Sequence, residues 1–485
     1  MLNLKRKDLL RTQSFIKGSW VGADDGATLT VTNPASGEIL AEVASLGAVE
    51  TRRAIEAAGQ AWPDWRATTV LERSKILRRW YELMVEHMDD LAALLTAEQG
   101  KPLAEARGEI AYGASYLEWF AEQAKRMNGA TIPASADDKR LVVIKQPVGV
   151  VAAITPWNFP NAMIARKMAP ALAAGCTFVG KPAKETPLSA LAMAALAEEA
   201  GIPTGVLNIV VGESASDIGG EMTANPLVRK LTFTGSTKVG KLLMEQCAGT
   251  VKKTTMELGG NAPFIVFDDA DLDATVAGAM ASKYRVSGQT CVCPNRFLVH
   301  EKVYDVFAEK LATAVKAGFR LGNGADENVN LGPLIHEKAC RKVQGFVDDA
   351  VEKGAKILTG GRVSDKGANF YEPTVLVNCT KGMRLFSEEI FGPIAPLFRF
   401  ASEEEAIAMA NDTEFGLASY FYSRDIGRVW RVAEGLEYGM VGINEGIISN
   451  SMAPFGGIKQ SGAGREGSVY GLDDYLEIKY MCMGV

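Results

Sequence analysis

Histidine is almost missing from this chain: His87, His300 and His336 are the only three in 485 residues, and they lie far apart. No His-rich or mixed Cys/His cluster can be drawn from them, so no metal site is expected. The same scarcity leaves a cysteine nucleophile without an evident imidazole partner, which disfavours a Cys–His hydrolase. Cysteine is sparse as well, with seven residues scattered from Cys176 to Cys482. An odd, scattered set is a poor disulfide framework and suits a reducing compartment, so a cytoplasmic location is expected. A basic excess is lacking: the formal net charge is -6. That excludes the electrostatic footprint of a nucleic-acid partner. Long apolar runs are lacking too; the stretch from Met168 to Gly180 contains Pro170 and stops at Lys181, so no membrane span is expected. The opening "MLNLKRKDLLRTQSF" has no apolar stretch of the secretory kind. A G-x-G-x-x-G fingerprint follows none of the expected strands. "GSTKVGKL" (235–242) nearly matches a phosphate loop but ends in Leu242, where magnesium needs Ser or Thr.

From about Leu141 short apolar, β-rich runs alternate with helical ones. "VGVVAAIT", "TFVG", "GVLNIVVG" and "RKLTFTG" read as buried strands. "NAMIARKMAPALAAG", "PLSALAMAALAEEAG", "SASDIGGEMTAN" and "STKVGKLLMEQCA" read as the helices between and after them. Such alternation predicts a parallel sheet with helices on its faces. A second alternating block runs from about Ala262 to Gly442, and 49–95 and 104–127 read as helical. Two α/β blocks joined near Glu257–Asn261 predict two domains with a cleft between them. The apolar C-terminal "LDDYLEIKYMCMGV" reads as a strand that needs a partner from outside its own sheet.

Four stretches carry polar groups into loop context. "SGQTCVCPN" places Cys291 and Cys293 in a loop between helix and strand, where sites concentrate. "TTMELGG" sets Glu257 after an apolar run and before two glycines, a position for a general base of raised pKa. "PWNFPNAMIARK" holds Asn158 among apolar residues just before a helix, able to cap that helix or to donate to an oxyanion. Gly235 and Ser236 open a helix whose first N–H groups can hold a pyrophosphate. Cys291 and Cys293, two apart, would sit at the edge of disulfide reach in an extended segment, so bridging them requires the loop to bend.

Taken in order, "PWNFP", "KPAKETP", "FTGS", "MELGG", "GQTCVCPNR", "EEIFGP" and "PFGGIKQSG" resemble the aldehyde dehydrogenase superfamily over nearly the whole chain. Within it, "ITPWNFPNAMIARK" and "KYRVSGQTCVCPN" look most like the succinate-semialdehyde dehydrogenases. The resemblance implies an aldehyde dehydrogenase-like α/β fold of two parallel-sheet domains. These are a Rossmann-like cofactor domain (1–125 and 147–257) and a catalytic domain (258–467), with a small β oligomerisation arm (126–146 and 468–485). It implies Cys291 as nucleophile, Glu257 as general base and Asn158 as oxyanion donor. Thr155, Trp157, Lys181, Lys184, Gly235, Ser236, Leu258, Glu389 and Phe391 would meet the cofactor. Arg166, Arg285 and Ser449 would meet a substrate carboxylate, for which a guanidinium is a natural fork. The implied reaction is NAD(P)-dependent oxidation of succinate semialdehyde, or of another carboxylated semialdehyde such as glutarate semialdehyde, through a thiohemiacetal and a thioester. Lys184 stands where NAD-selective relatives carry a glutamate, so NADP is the expected cofactor, with NAD possible. Relatives with Cys-x-Cys further imply a reversible redox lock between Cys291 and Cys293, and the family implies a homodimer or homotetramer. A catalytically silent protein of this fold and a CoA-acylating dehydrogenase are the rival readings.

Overall fold

The computed structural model describes residues 4–485; residues 1–3, where the expected cofactor domain begins, lie outside the described residues. Leu207–Ile209, Thr177–Lys181, Val150–Ile154, Val228–Thr234 and Lys253–Glu257 lie side by side in that order, all parallel. A second sheet sets Thr374–Val377, Ile394–Phe400, Pro294–His300, Ala262–Val266, Ala418–Tyr422 and Met440–Ile443 side by side, again parallel. Unbroken apolar strands make sense only if both faces are covered. In the second sheet Phe264 and Val266 join one core with Phe297 and Tyr420, while Ile265 joins another with Leu298 and Phe421. The first sheet divides likewise: Val151 and Ala153 face one core, Val150 and Ala152 the other. The fold is therefore α/β with two mainly parallel sheets, as expected.

Antiparallel strands at the sheet edges were not foreseen. Ser14–Ile16 and Ser19–Val21 extend the first sheet beyond Leu207–Ile209, and Lys356–Thr359 closes one edge of the second. Gly462–Ala463 returns from the second block to pair with Met256 and Glu257, and Leu258 N–H donates to Ser461 O at 2.9 Å. These strands are two to four residues long, so no periodicity marks them, and only their long-range partners define them. A three-stranded antiparallel sheet, in the order Leu476–Gly484, Lys139–Pro147, Ala130–Ile132, stands apart from both. The C-terminal segment is a strand only from Leu476; Tyr470–Asp473 before it is a short helix.

This topology positions the chemistry. The carboxyl ends of the first sheet's strands carry Thr155, Lys181, Gly235 and Leu258 to one rim, the usual ligand rim of an open parallel sheet. Chain leaving that rim at Glu257 enters the second sheet at Ala262, which pairs with Pro294 just after the cysteine segment. Glu257 and Cys291 thus meet where strands leave one sheet and enter the other.

Candidate active site

A cavity of about 460 Å³ opens between the sheets; Trp157, Asn158, Gly235, Ser236, Leu258, Cys291, Glu389 and Phe391 all line it. His336, Lys338 and Lys342, on the first turns of helix Glu337–Glu352 and its cap, line the same space, and the sequence reading missed them. The other expected residues lie outside this lining. Thr155 and Lys181 are buried neighbours at the strand ends, joined by Thr155 N–H to Lys181 O at 3.1 Å. Lys184 is exposed and pairs with Glu213. Ser449 lines a separate open groove with Tyr112, Ser115 and Trp119.

Cys291 follows a run of left-handed backbone: Val286 (φ 51°), Ser287 (φ 54°) and Gly288 (φ 75°). A β-branched residue there is strained and persists only when its surroundings hold it. Val286 N–H donates to Glu105 at 2.9 Å, Ser287 Oγ to Gly332 O at 2.7 Å, and Gln289 Nε2 to Val286 O at 3.0 Å. Asn158 Nδ2 donates to Gln289 O at 2.9 Å, which ties the oxyanion candidate to the nucleophile loop. Gly260 makes the approach possible, because a Cβ there would lie 2.5 Å from the Cys291 carbonyl oxygen. Burial pushes the Cys291 thiol up to about 12, against the pull of Arg166, with Glu257 and Glu389 adding to the rise.

Glu257 is 2 % exposed, and among the described residues neither of its oxygens has a hydrogen-bond partner. Burial, reinforced by Glu466, holds its carboxyl well above the usual carboxylate range, while Arg166, Lys167 and Arg465 oppose that rise. Glu466 is a second buried acid that the sequence reading missed. Lys167 Nζ donates to it at 2.5 Å and Arg166 pairs with it. The Arg166 guanidinium is fully buried, 4.4 Å over the Phe455 ring, and its Nη1 and Nη2 have no acceptor among the described residues. Arg285 stacks its guanidinium 4.9 Å from the Phe159 ring, on the residue next to Asn158.

The cysteine segment is bent rather than extended: Cys293 N–H donates to Thr290 O at 3.2 Å, closing a turn. Both thiols are free. Cys293 Sγ donates to Lys283 O at 3.1 Å, while Cys291 faces the cavity.

The cavity suits a dinucleotide. Helix Thr237–Ala248 opens onto it, with Ser236 capping Val239 N–H, and the buried Thr234 Oγ1 beside it has no hydrogen-bond partner among the described residues. Glu389 Oε1 accepts from Gly260 N–H at 3.1 Å, and Lys342 Nζ donates to Glu389 O at 2.8 Å. Phe391, at φ 55°, meets Trp157 edge-on at 5.6 Å. Among the described residues no group of three or more His, Cys, Asp or Glu could hold a metal ion.

The sequence pattern of the aldehyde dehydrogenase family matches residues 20–481. The chain is 64% identical to a glutarate-semialdehyde dehydrogenase of Pseudomonas putida, covering 100% of both chains. It is 62% identical to a 3-sulfolactaldehyde dehydrogenase of Pseudomonas putida, covering 100% of this chain and 99% of that one. It is 61% identical to the NADP(+) succinate-semialdehyde dehydrogenase of Escherichia coli, covering 100% of both. Among solved structures, succinate-semialdehyde dehydrogenase from Burkholderia pseudomallei superposes with a TM-score of 0.98 at 63% identity, covering 100% of both chains. Betaine aldehyde dehydrogenase from Staphylococcus aureus, in complex with NAD+, gives 0.95 at 37% identity, covering 98% of this chain and 95% of that one.

Proposed function

This chain belongs to the aldehyde dehydrogenase family, and from that premise we propose that it oxidises short aldehydes carrying an anion at the far end. Succinate semialdehyde is the first choice and glutarate semialdehyde the alternative. The observation that carries this reading is Arg166: a fully buried guanidinium whose Nε faces Glu466, whose two Nη atoms have no acceptor among the described residues, and which lowers the neighbouring Cys291 thiol. A buried polar group without a partner is costly unless a ligand satisfies it, and a carboxylate fits that fork. Three relatives of near-equal identity are named for a glutarate, a sulfonated and a succinate aldehyde. Those substrates share a remote anion and differ in length, so identity alone does not choose among them.

In the proposed reaction Cys291 sulfur attacks the aldehyde carbon, and its proton leaves to a base. That base is solvent; Glu257, with a carboxyl held well above its usual range, serves as the base of the later, hydrolytic step. Of the two N–H bonds on Asn158 Nδ2, one goes to Gln289 O; the second is available to the developing oxyanion, together with the Cys291 backbone N–H. NADP or NAD, when bound, supplies the hydride acceptor. Gly235, Ser236, Glu389 and Phe391 would hold it, with Lys181 and Lys184 toward its adenosine end. Glu257 then takes a proton from the water that cleaves the thioester, and Cys291 leaves as the acid is released. Retention of Glu257 favours hydrolysis over transfer to CoA, and the intact set of Cys291, Glu257 and Asn158 disfavours a silent protein.

The deciding experiment is kcat/KM for a panel of succinate, glutarate and sulfonated aldehydes, with uncharged aldehydes of equal length, each with NADP and NAD. Anionic substrates should lead by roughly ten- to hundredfold, the worth of a charge-assisted hydrogen bond. Equal rates across the panel would overturn the reading. The redox lock belongs to the same proposal: the chain bends in a turn from Thr290 to Cys293, and a bridge would draw Cys293 Sγ away from the Lys283 carbonyl that it meets. Peroxide should inactivate the enzyme and dithiothreitol restore it, and Cys293→Ala should lose that recovery. Full recovery in the variant would leave Cys293 a packing residue.

A further inference from the structure

A lysine and a glutamate outside every motif quoted above meet beneath the oxyanion segment. Lys101 and Glu109 both have fully buried side chains, and Lys101 Nζ donates to Glu109 Oε2 at 2.5 Å. The same ammonium donates to the backbone carbonyl of Asn158 at 2.7 Å and sits 4.0 Å from the centre of the Phe159 ring. Its three N–H bonds thus have a carboxylate, a carbonyl and an aromatic face to meet. Glu109 turns its other oxygen to the backbone N–H groups of Asn161, at 2.9 Å, and Ala162, at 3.2 Å, where helix Ala162–Ala174 begins. The pair therefore grips the Asn158–Ala162 segment from both sides, by a carbonyl at one end and two amides at the other.

The turn that carries Lys101 also leans on the strip that holds the nucleophile loop. Gly100, at φ 93°, lies so close to Pro333 that a Cβ would stand 2.7 Å from the proline ring. Gly332 O accepts from Ser287 Oγ at 2.7 Å, and Pro333 O from Gln289 Nε2 at 3.4 Å. One short turn is thereby packed against both halves of the chemistry, the segment of Asn158 and the loop of Cys291. A buried ion pair is weak evidence of a role in stability, since apolar residues of like volume often do as well. What an apolar residue cannot do is bind the Asn158 carbonyl.

We infer that Lys101, clamped by Glu109, is a positioning residue for the oxyanion amide: it fixes the Asn158 backbone so that the side-chain amide points at the carbonyl oxygen of the aldehyde held over Cys291. This rests on the proposed reading of Asn158 as an oxyanion donor, and the test separates the two.

The measurement is the pre-steady-state burst of reduced coenzyme in wild type, Lys101→Met, Asn158→Ala and the double variant, with coenzyme affinity and thermal melting read in parallel. Asn158→Ala should slow the burst about 100- to 1000-fold. Lys101→Met should slow it about 10- to 100-fold, the scale of a misplacement near 1 Å. Coenzyme affinity should stay put, and kcat should fall more than KM changes. In the Asn158→Ala background, Lys101→Met should change the burst by no more than about twofold, because the amide through which it acts is gone. Multiplying defects in the double variant, or a wild-type burst in Lys101→Met, would overturn the inference and leave the Asn158 reading intact. A near-normal burst in Asn158→Ala would overturn both. If Lys101→Met fails to fold, Lys101→Met/Glu109→Gln removes both buried charges together. It should melt as one cooperative unit, bind coenzyme and show the same slow burst; a wild-type burst there overturns the inference.

Discussion

Two carboxylates show how single positions set the chemistry. Glu257 lies in a buried chamber with Glu466, Arg166 and Lys167, and burial together with Glu466 keeps its proton on above the ordinary carboxylate range. Its base form therefore appears as pH rises, and hydrolysis of the acyl-enzyme should quicken with pH through that raised value. Glu257→Gln should still give a burst of reduced coenzyme, followed by slow turnover that no longer rises with pH. Loss of the burst would place Glu257 in the first proton transfer as well. Glu213 lies beyond the cavity lining, paired with Lys184 at the proposed adenosine end of the coenzyme. The motifs single out Lys184 for the 2′-phosphate of NADP, and they are silent on Glu213, which pairs with it. An exposed pair is weak, so a phosphate can compete for the lysine. Glu213→Gln should lower KM for NADP by about two- to fivefold and leave NAD unchanged, while Lys184→Gln should raise KM for NADP alone. If Lys184→Gln leaves both coenzymes unaffected, the lysine does not meet the phosphate. Lys101, Glu109, Glu213 and Glu466 were illegible for one reason: each matters through a partner far away in the chain, as Lys101 does 57 residues from Asn158 and Glu466 does 299 residues from Lys167.

At the scale of elements, legibility follows burial. Strands buried on both faces announce themselves as apolar runs, which is why Val150–Ile154, Thr177–Lys181 and Val228–Thr234 could be read directly. The two-residue strand Gly462–Ala463 could not, although it lays a glycine-rich segment over Glu257. The left-handed run at Val286–Gly288 was likewise invisible, since only glycine at its end advertises such a conformation. The two glycines after Glu257 were visible in the sequence, but their neighbours were not: the Cys291 carbonyl lies against Gly260, and the Glu389 carboxylate lies near Gly259. Gly260→Ala puts a methyl group against that backbone oxygen, so the nucleophile loop must move. The burst should slow about 100-fold while the melting temperature changes little. Gly220→Ala, which meets open space in helix Ala215–Ala224, is the control and should leave the burst unaltered. A normal burst in Gly260→Ala would show that the loop gives way without consequence.

On the scale of the whole molecule, the unsatisfied part is an edge. Leu476–Gly484 pairs along its full length with Lys139–Pro147, and it is the outer strand of that three-stranded sheet. Its other edge has no strand beside it among the described residues. Ile478 is 73% exposed and Tyr480 58%, and the chain ends on an exposed Val485. A nine-residue edge carrying exposed apolar side chains is a template for another strand, and proteins otherwise blunt such edges with charge, proline or a bulge. Lys479 is the sole charge between Ile478 and Val485. We propose that this edge joins a second copy of the chain, which would make the arm an assembly device while both sheets and the cavity stay within one chain. Wild type should then run in light scattering at a multiple of 52.0 kDa. Ile478→Lys/Tyr480→Lys should fall to a smaller multiple and still give a burst of reduced coenzyme, because neither residue lines the cavity. A wild-type mass of one chain would overturn the proposal, and a double variant that keeps the full assembly would place the contact elsewhere.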